Sequence, residues 1–457
     1  MVERMVVVGA DAAGMSAASQ ARRRRRSTSD LEIIAFDRGS YSSYSACGIP
    51  YLVGGAVDDV DALIARTPEE FRRDFDIDVR LRREVTAVDL DARTVRVREV
   101  DGGDEETVGF DTLMIATGSV PVCPAVPGAD ATGIHGVQTL GDGVALRDGL
   151  AGVRRVVVVG GGYIGLEIAE AMVTRGIDVT VVDQGPAPLR LLDPDMSAMV
   201  AEAMTGLGIR LEMGRTVTAF ETGADGAVRA VVAGDRRLPA DLVVLGIGAR
   251  PNVALAEEAG ITLGPSGGVA VDHRMRTSAD GVWAAGDCVE SHHLVSRKPV
   301  VIALGTHANK QGRVAGINIG GGYATFPGVL GTAVTKLCDL EIARTGLNAH
   351  EAAAAGFDHV EAVVESTTRA GYFPGAQPIT TKLLAERRSG RLLGGQIIGR
   401  EGAAKRIDVV ATALWHEMTV EAMLNLDLSY APPFAPVWDP VLIAARKAAE
   451  KVERGGV

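Results

Sequence analysis

One cysteine, Cys47, stands in the stretch Ser43-Tyr-Ser-Ala-Cys47-Gly-Ile-Pro-Tyr51, between small residues and a Gly/Pro break. A thiol so placed can do redox chemistry as its thiolate. Ser42 and Ser43 lie five and four residues before it, where a two-cysteine redox site could carry its second thiol. Cys47 thus has no local partner, and a disulfide made by it joins it to another molecule. Cys123, Cys288 and Cys338 are scattered without a C-x-x-C pair, which speaks against a zinc site or a disulfide framework. An isolated cysteine is commonly just a small buried hydrophobe, so the segments around Cys47 have to decide between the two readings.

Two segments read as strand, glycine loop and helix. Met5–Val8 runs into Gly9-Ala-Asp-Ala-Ala-Gly14 and an alanine-rich helix, and Asp37 ends the next apolar strand, Ile33–Phe36. Glycines let the backbone approach a pyrophosphate, which the free amides at the helix start then hold. Asp11 departs from this pattern by replacing the middle glycine. The second copy keeps all three: Val156–Val159, Gly160-Gly-Gly162-Tyr-Ile-Gly165, a helix, then Val179-Thr-Val-Val-Asp183. Asp183 lies 23 residues beyond Gly160, near the spacing expected of a ribose-binding acid. Its carboxylate would accept from a 2′-hydroxyl and repel a 2′-phosphate, so NADH is expected to be favoured, with NADPH possible.

The chain has 457 residues, 47% of them hydrophobic, and 56 glycines, enough for several cores. A net charge of -11 argues against nucleic acid or anionic membrane as partner. The apolar region Val156–Val173 is broken by glycines and by Glu167 and Glu170, which is wrong for a membrane span. The sequence opens on the Met5–Val8 strand without the features of a secretory signal. A cytoplasmic protein is expected.

Two further stretches explain the paired loops: Asp111-Thr-Leu-Met-Ile-Ala-Thr-Gly118-Ser119, and Gly281-Val-Trp-Ala-Ala-Gly286-Asp287-Cys288 before a helix at Thr306–Ile319. With Gly246-Ile-Gly-Ala-Arg250-Pro-Asn252, they give a pattern that resembles, almost end to end, the flavoprotein pyridine nucleotide-disulfide oxidoreductases. The resemblance implies an α/β fold with two Rossmann-like domains, the NAD domain inserted in the FAD domain, and a C-terminal α+β dimerisation domain. The implied divisions are 1–120 and 249–325 for FAD, 121–248 for NAD(P)H and 326–457 for dimerisation. It implies FAD contacts from Gly9, Ala12, Gly14, Asp37, Arg38, Thr117, Gly118 and Asp287. It implies NAD(P)H contacts from Gly160, Gly162, Tyr163, Ile164, Gly165, Asp183 and Gly248. No metal is implied, and the expected assembly is a homodimer.

Within the family, the Ser-x-x-x-Cys-Gly-x-Pro-Tyr stretch is most similar to the single-cysteine branch of coenzyme A-disulfide reductases, persulfide reductases, NADH oxidases and peroxidases. Oxidases and peroxidases commonly carry a histidine in the first glycine loop, where this chain has Ala12. Ser16, Gln20 and Arg23 recur at i, i+4 and i+7 and share a helix face. In coenzyme A-disulfide reductases the residues matching these, with Ser43 and Phe71, contact coenzyme A; Arg23, helped by Arg22 from the Arg22–Arg26 run, would meet a phosphate. Ala46 and Phe75 depart from that group's asparagine and lysine. Tyr372 and Tyr430 resemble positions that reach across the dimer, where a hydroxyl can assist a departing thiolate. The expectation is reduction of a small disulfide, with coenzyme A disulfide first, through a Cys47 whose pKa is lowered by flavin and helix dipoles. Its rivals are an NADH oxidase working through a cysteine sulfenic acid, and a redox-sensing flavoprotein acting through partner binding.

Overall fold

The computed structural model describes residues 2–25 and 30–455, so Arg26 lies outside the described residues. A parallel five-stranded sheet is ordered Val282–Ala284, Thr112–Ile115, Glu3–Val8, Leu31–Asp37, Ile77–Leu81. Its outer strand returns from the far side of a second parallel sheet, ordered Arg210–Met213, Asp178–Asp183, Arg155–Val159, Leu242–Leu245, Ile134–Gly136. The second unit is therefore inserted in the first. Fully buried apolar strands such as Val156–Val159 suit parallel sheets covered on both faces.

Register brings the polar groups to one edge. Val8 pairs with Phe36 and with Ile115, and Ile115 with Ala284, so the first glycine loop, Asp37, Thr117 and Asp287 all leave the sheet at its carboxyl end. Val159 likewise pairs with Val182 and Leu245, which brings Gly160, Asp183 and the Gly246–Gly248 turn together. Two short strands, Ser119–Pro121 and Ala249–Pro251, pair antiparallel where the chain crosses out of and back into the first unit. Three-stranded antiparallel meanders, Arg83–Gly109 and Val217–Pro239, flank the two units.

The C-terminal unit is an antiparallel sheet ordered Ala333–Leu337, Leu340–Gly346, Leu392–Gly399, Pro378–Glu386, His359–Thr367, packed on helices Ile407–Trp415 and Pro440–Gly455. Buried Lys382, 3% exposed, ties it to the inserted unit: its Nζ meets Asp193 at 3.0 Å, Asp195 at 2.9 Å and Glu361 at 2.7 Å. Among the described residues no helix is long and apolar enough to cross a membrane.

Candidate active site

The loop carrying Cys47 is held from two sides. Ser43, at φ +45°, donates its amide to Ala10 O of the glycine loop (2.9 Å), and Tyr44 donates to Asp11 Oδ1 (3.2 Å). On the other side Ser45 donates to Leu63 O (2.7 Å), Ala65 to Ser43 O (2.8 Å) and Ser42 Oγ to Arg66 O (3.2 Å). A Cβ at Gly48 would press on the Leu63 side chain, which packs directly over the loop. Cys47 sits exposed in a single 3-10 turn, Ala46–Gly48, that runs into the helix Ile49–Gly54.

The protein's own groups act on the thiol in the opposite sense to the flavin and helix dipoles expected to lower it. Burial of its surroundings, then Glu167 and Asp287, push the Cys47 thiol up from its ordinary value. Glu167 comes from the second Rossmann helix, Tyr163–Thr174, and accepts from Thr335 Oγ1 of the C-terminal unit at 2.9 Å. Burial raises its own pKa. Lys336, paired with Glu170, lies 5.7 Å from the centre of the Tyr51 ring.

Both Rossmann helices open with amides that no side chain caps and no acid in the first turn. The helices Pro68–Phe75, Leu140–Asp148 and Ala349–Ala354 instead close theirs with capping boxes, Thr67/Glu70, Thr139/Asp142 and Asn348/Glu351. Uncapped amides behind a glycine loop suit a pyrophosphate. A Cβ at Gly9, Gly14, Gly160 or Gly165 would collide with backbone, which shows how tightly each loop closes on its sheet and helix. The two acids are held alike: Asp37 accepts from Ala10 N (2.8 Å) and Gly39 N (2.7 Å), Asp183 from Gly161 N (2.7 Å) and Gly185 N (2.6 Å). The residues present therefore fit two dinucleotides.

Around the first loop, Ala12 begins the helix and Arg38 approaches Glu84 at 4.0 Å. Thr117 Oγ1 donates to Asn252 O (2.6 Å), and Asn252 N to Gly118 O (2.9 Å), pinning the Ala-Thr-Gly turn to the returning strand. Ser119 Oγ donates to Asp287 (3.2 Å) and accepts from Gln138 (2.9 Å). Asp11, turned towards the Cys47 loop, is raised to about 6 by burial, despite the Tyr44 amide, and by Asp37. In the second unit Tyr163 is pushed up to about 12, mainly by burial. Ile164 is partly buried, and Gly248, at φ +104°, accepts from Val122 N (2.9 Å).

On the first helix Ser16, Gln20 and Arg23 form the face left open, while Ala17, Ala18, Ala21 and Arg22 are buried. Ser16 Oγ donates to Asn309 Oδ1 (2.8 Å). The expected help from Arg22 is corrected: its guanidinium turns inward to the carbonyls of Phe75 (2.9 Å) and Asp76 (3.0 Å), ending the helix Pro68–Phe75. Phe71 is 2% exposed and belongs to the core, so the ring presented on this side is Phe75. Arg23 stacks over Phe75 at 5.4 Å, and Arg66 lies 4.5 Å over Phe75 and 5.4 Å over Phe71. Arg66 was missed in the sequence because only the fold brings residues 63–66 against Ser43. Contacts thus lead from the Cys47 loop through Ser42 and Ser43 to Ala65 and Arg66, and from Arg66 through Phe75 to Arg23.

Tyr372 (78% exposed) and Tyr430 (47% exposed) come together on the C-terminal unit. Ala370 N donates to Pro432 O (3.1 Å), joining their loops, and Phe434, Val437 and Trp438 are exposed nearby in sequence. Desolvation, then Tyr372, raises the Tyr430 phenol.

Residues 3–318 match the pyridine nucleotide-disulphide oxidoreductase family and residues 332–440 its dimerisation domain. The chain belongs to this FAD-dependent family. It is 39% identical over 446 residues to the CoA-dependent NAD(P)H sulfur oxidoreductase of Pyrococcus abyssi, covering 97% of each chain. The reduced CoADR-RHD of Bacillus anthracis is similar in structure, with TM-score 0.95, 32% identity, and coverage of 99% of this chain and 81% of that one. An engineered water-forming NADPH oxidase derived from the Lactobacillus brevis enzyme, bound to NADPH, gives TM-score 0.94 at 28% identity, with 99% of each chain covered.

Proposed function

We propose that this protein is a cytoplasmic homodimer that uses NADH, and NADPH as a second donor, to reduce a low-molecular-weight disulfide or persulfide, coenzyme A disulfide above all, through Cys47 alone. Segments 1–120 and 249–325 hold FAD, 121–248 hold NAD(P)H and 326–457 pair the subunits. Bound FAD supplies a two-electron relay between nicotinamide and cysteine. The Cys47 thiolate attacks one sulfur of the disulfide, so one thiolate leaves and the other half stays in a mixed disulfide. Two electrons then regenerate the Cys47 thiolate and release the second thiol. Tyr372 and Tyr430, offered to the partner subunit's site, stabilise the departing thiolate.

The observation that carries this reading is the chain of contacts from the Cys47 loop to Arg23. It begins at a thiol with no second cysteine in its loop and ends at two guanidiniums stacked on Phe75, which suits a thiol with a phosphorylated nucleotide tail. Phe75 takes the place of the lysine of coenzyme A-disulfide reductases, and Arg66 supplies a cation from the other side. A charged hydrogen bond to phosphate contributes roughly 1.5–3 kcal/mol. Arg23→Ala should therefore lower the specificity constant for coenzyme A disulfide about ten- to a hundredfold and barely alter that for a phosphate-free disulfide. Equal losses on the two substrates, measured by steady-state kinetics, would assign Arg23 to the fold and remove coenzyme A from the reading.

A further inference from the structure

Arg344, Gln396 and Lys382 stand side by side across three adjacent strands of the C-terminal sheet, with Gln396 directly opposite each of the other two. Residues so opposed point to one face, and all three are buried. Next on that face come Ile342 and Ile398, which share one apolar core with Leu189 and Leu192 of the inserted unit. A row of buried polar groups is costly unless each is matched. Here the match is a single irregular segment of the inserted unit, residues 191–195. Arg344 Nη1 donates to Leu191 O (2.7 Å), as does Asn348 Nδ2 (3.2 Å). Gln396 accepts from Asp193 N (2.8 Å) and donates to Asp193 Oδ2 (2.7 Å), while Ala349 N donates to Asp193 Oδ1 (2.8 Å). Lys382 holds Asp193 and Asp195 from the same side.

The near end of this segment lies on the second glycine loop. Leu189 N donates to Gly161 O (2.7 Å), and Leu192 N closes the turn on Leu189 O (2.8 Å). A Cβ on Gly161 would come within 3.3 Å of Pro188 Cα, so the two backbones are in close contact. The Arg344 charge also reaches Tyr163, the first residue of the helix behind the loop, where it opposes the effect of burial on the phenol. Residues 188–193 are thus a short strut, with the C-terminal sheet at one end and the glycine loop at the other. We propose that Arg344 and Gln396 are positioning residues for the nicotinamide dinucleotide: from the C-terminal unit they fix residues 188–193 against Gly161 and so set the shape of a site to which neither belongs. An apolar face would join the units as well or better. Hydrogen bonds to the backbone of one segment do something more, which is to fix where that segment lies. Dinucleotide affinity in the inserted unit thereby depends on the dimerisation domain.

This rests on the dinucleotide site at Gly160–Gly165 and is tested without the disulfide, by calorimetric titration of the FAD-loaded protein with ADP-ribose, which cannot reduce the flavin. Arg344→Met should retain the parent's FAD content and weaken ADP-ribose about two- to thirtyfold, the range over which a residue outside a site alters coupling to it. Arg344→Lys should recover part of the loss by returning one donor to Leu191 O. In turnover the loss should fall on the Michaelis constant for NADH and not on that for the disulfide. Gln396→Leu, which leaves Asp193 its lysine, carries the same expectation and decides the matter should Arg344→Met not fold. Unchanged ADP-ribose affinity, or an equal loss of FAD and ADP-ribose, would reduce the row to an adhesive between units and overturn the proposal. A parent that does not bind ADP-ribose would overturn it differently, by removing the dinucleotide site itself.

Discussion

Asp11 is the one departure from the first glycine motif, and its setting makes a quantitative prediction. The carboxyl is buried in the loop, accepts the Tyr44 amide at 3.2 Å, and feels Asp37 and Asp287. Burial first, then the neighbouring acids, lift it from 3.8 to about 6. Because the folded pKa lies above the unfolded one, Asp11's contribution is fully present below pH 3.8 and lost as pH rises through about 6. A shift of about two pKa units corresponds to roughly 3 kcal/mol. A bound pyrophosphate adds negative charge to the same loop and pushes in the same direction. Asp11→Asn keeps an oxygen for the Tyr44 amide and removes the titration. Thermal midpoints of parent and variant, followed from pH 3.5 to 8, should nearly coincide at the acid end, separate in the variant's favour between about pH 4 and 6, and keep that gap above pH 6. For a domain of about 200 residues the gap is about 6–12 °C. Parallel curves would show that Asp11 does not titrate in this range. A variant less stable at every pH would show that the carboxyl group itself, protonated or not, is needed to tether the cysteine loop.

Two other substitutions probe the chemistry and the frame. Cys47→Ser should retain FAD and the dimer, by absorbance and light scattering, and lose disulfide reduction; turnover at the parent's rate would refute a single-cysteine mechanism. Lys382→Met leaves the buried carboxylate of Asp193 without its cation and should cost about 3–5 kcal/mol. The ion pairs to Asp195 and Glu361 are more exposed and contribute less. A loss below about 1 kcal/mol in denaturant midpoints would mean that solvent reaches Asp193 once the lysine is gone.

Local motifs carried most of the fold. The glycine spacings at Gly9–Gly14 and Gly160–Gly165 reflect backbone collisions that involve only the strand, loop and helix of one unit, and Asp37 and Asp183 end the very next strands. Helical periodicity likewise identified the open face of Ser16, Gln20 and Arg23. It could not say what packs against the other faces. Arg22, adjacent to Arg23, turns inward because the helix Pro68–Phe75 ends there and needs its last carbonyls satisfied. Phe71 and Phe75 share one side of that helix, but the core takes the first and leaves the second half open. Arg66 belongs to no motif. It acquires meaning from its contact with Phe75.

The acidity of Cys47 was the expectation least available to sequence, because the groups that set it come from separate places. Asp11 lies in the first glycine loop, Asp287 at the end of the returning strand, and Glu167 on the helix of the inserted unit, itself held by Thr335 of the C-terminal unit. Burial first, and then all three acids, raise the thiol, so the protein frame by itself favours the protonated form of Cys47. Asp11, Asp287 and Glu167 are themselves raised by burial, and each, when it takes up a proton, ceases to oppose the thiolate. Thiolate formation is thereby coupled to the protonation of carboxyls in both nucleotide-binding units.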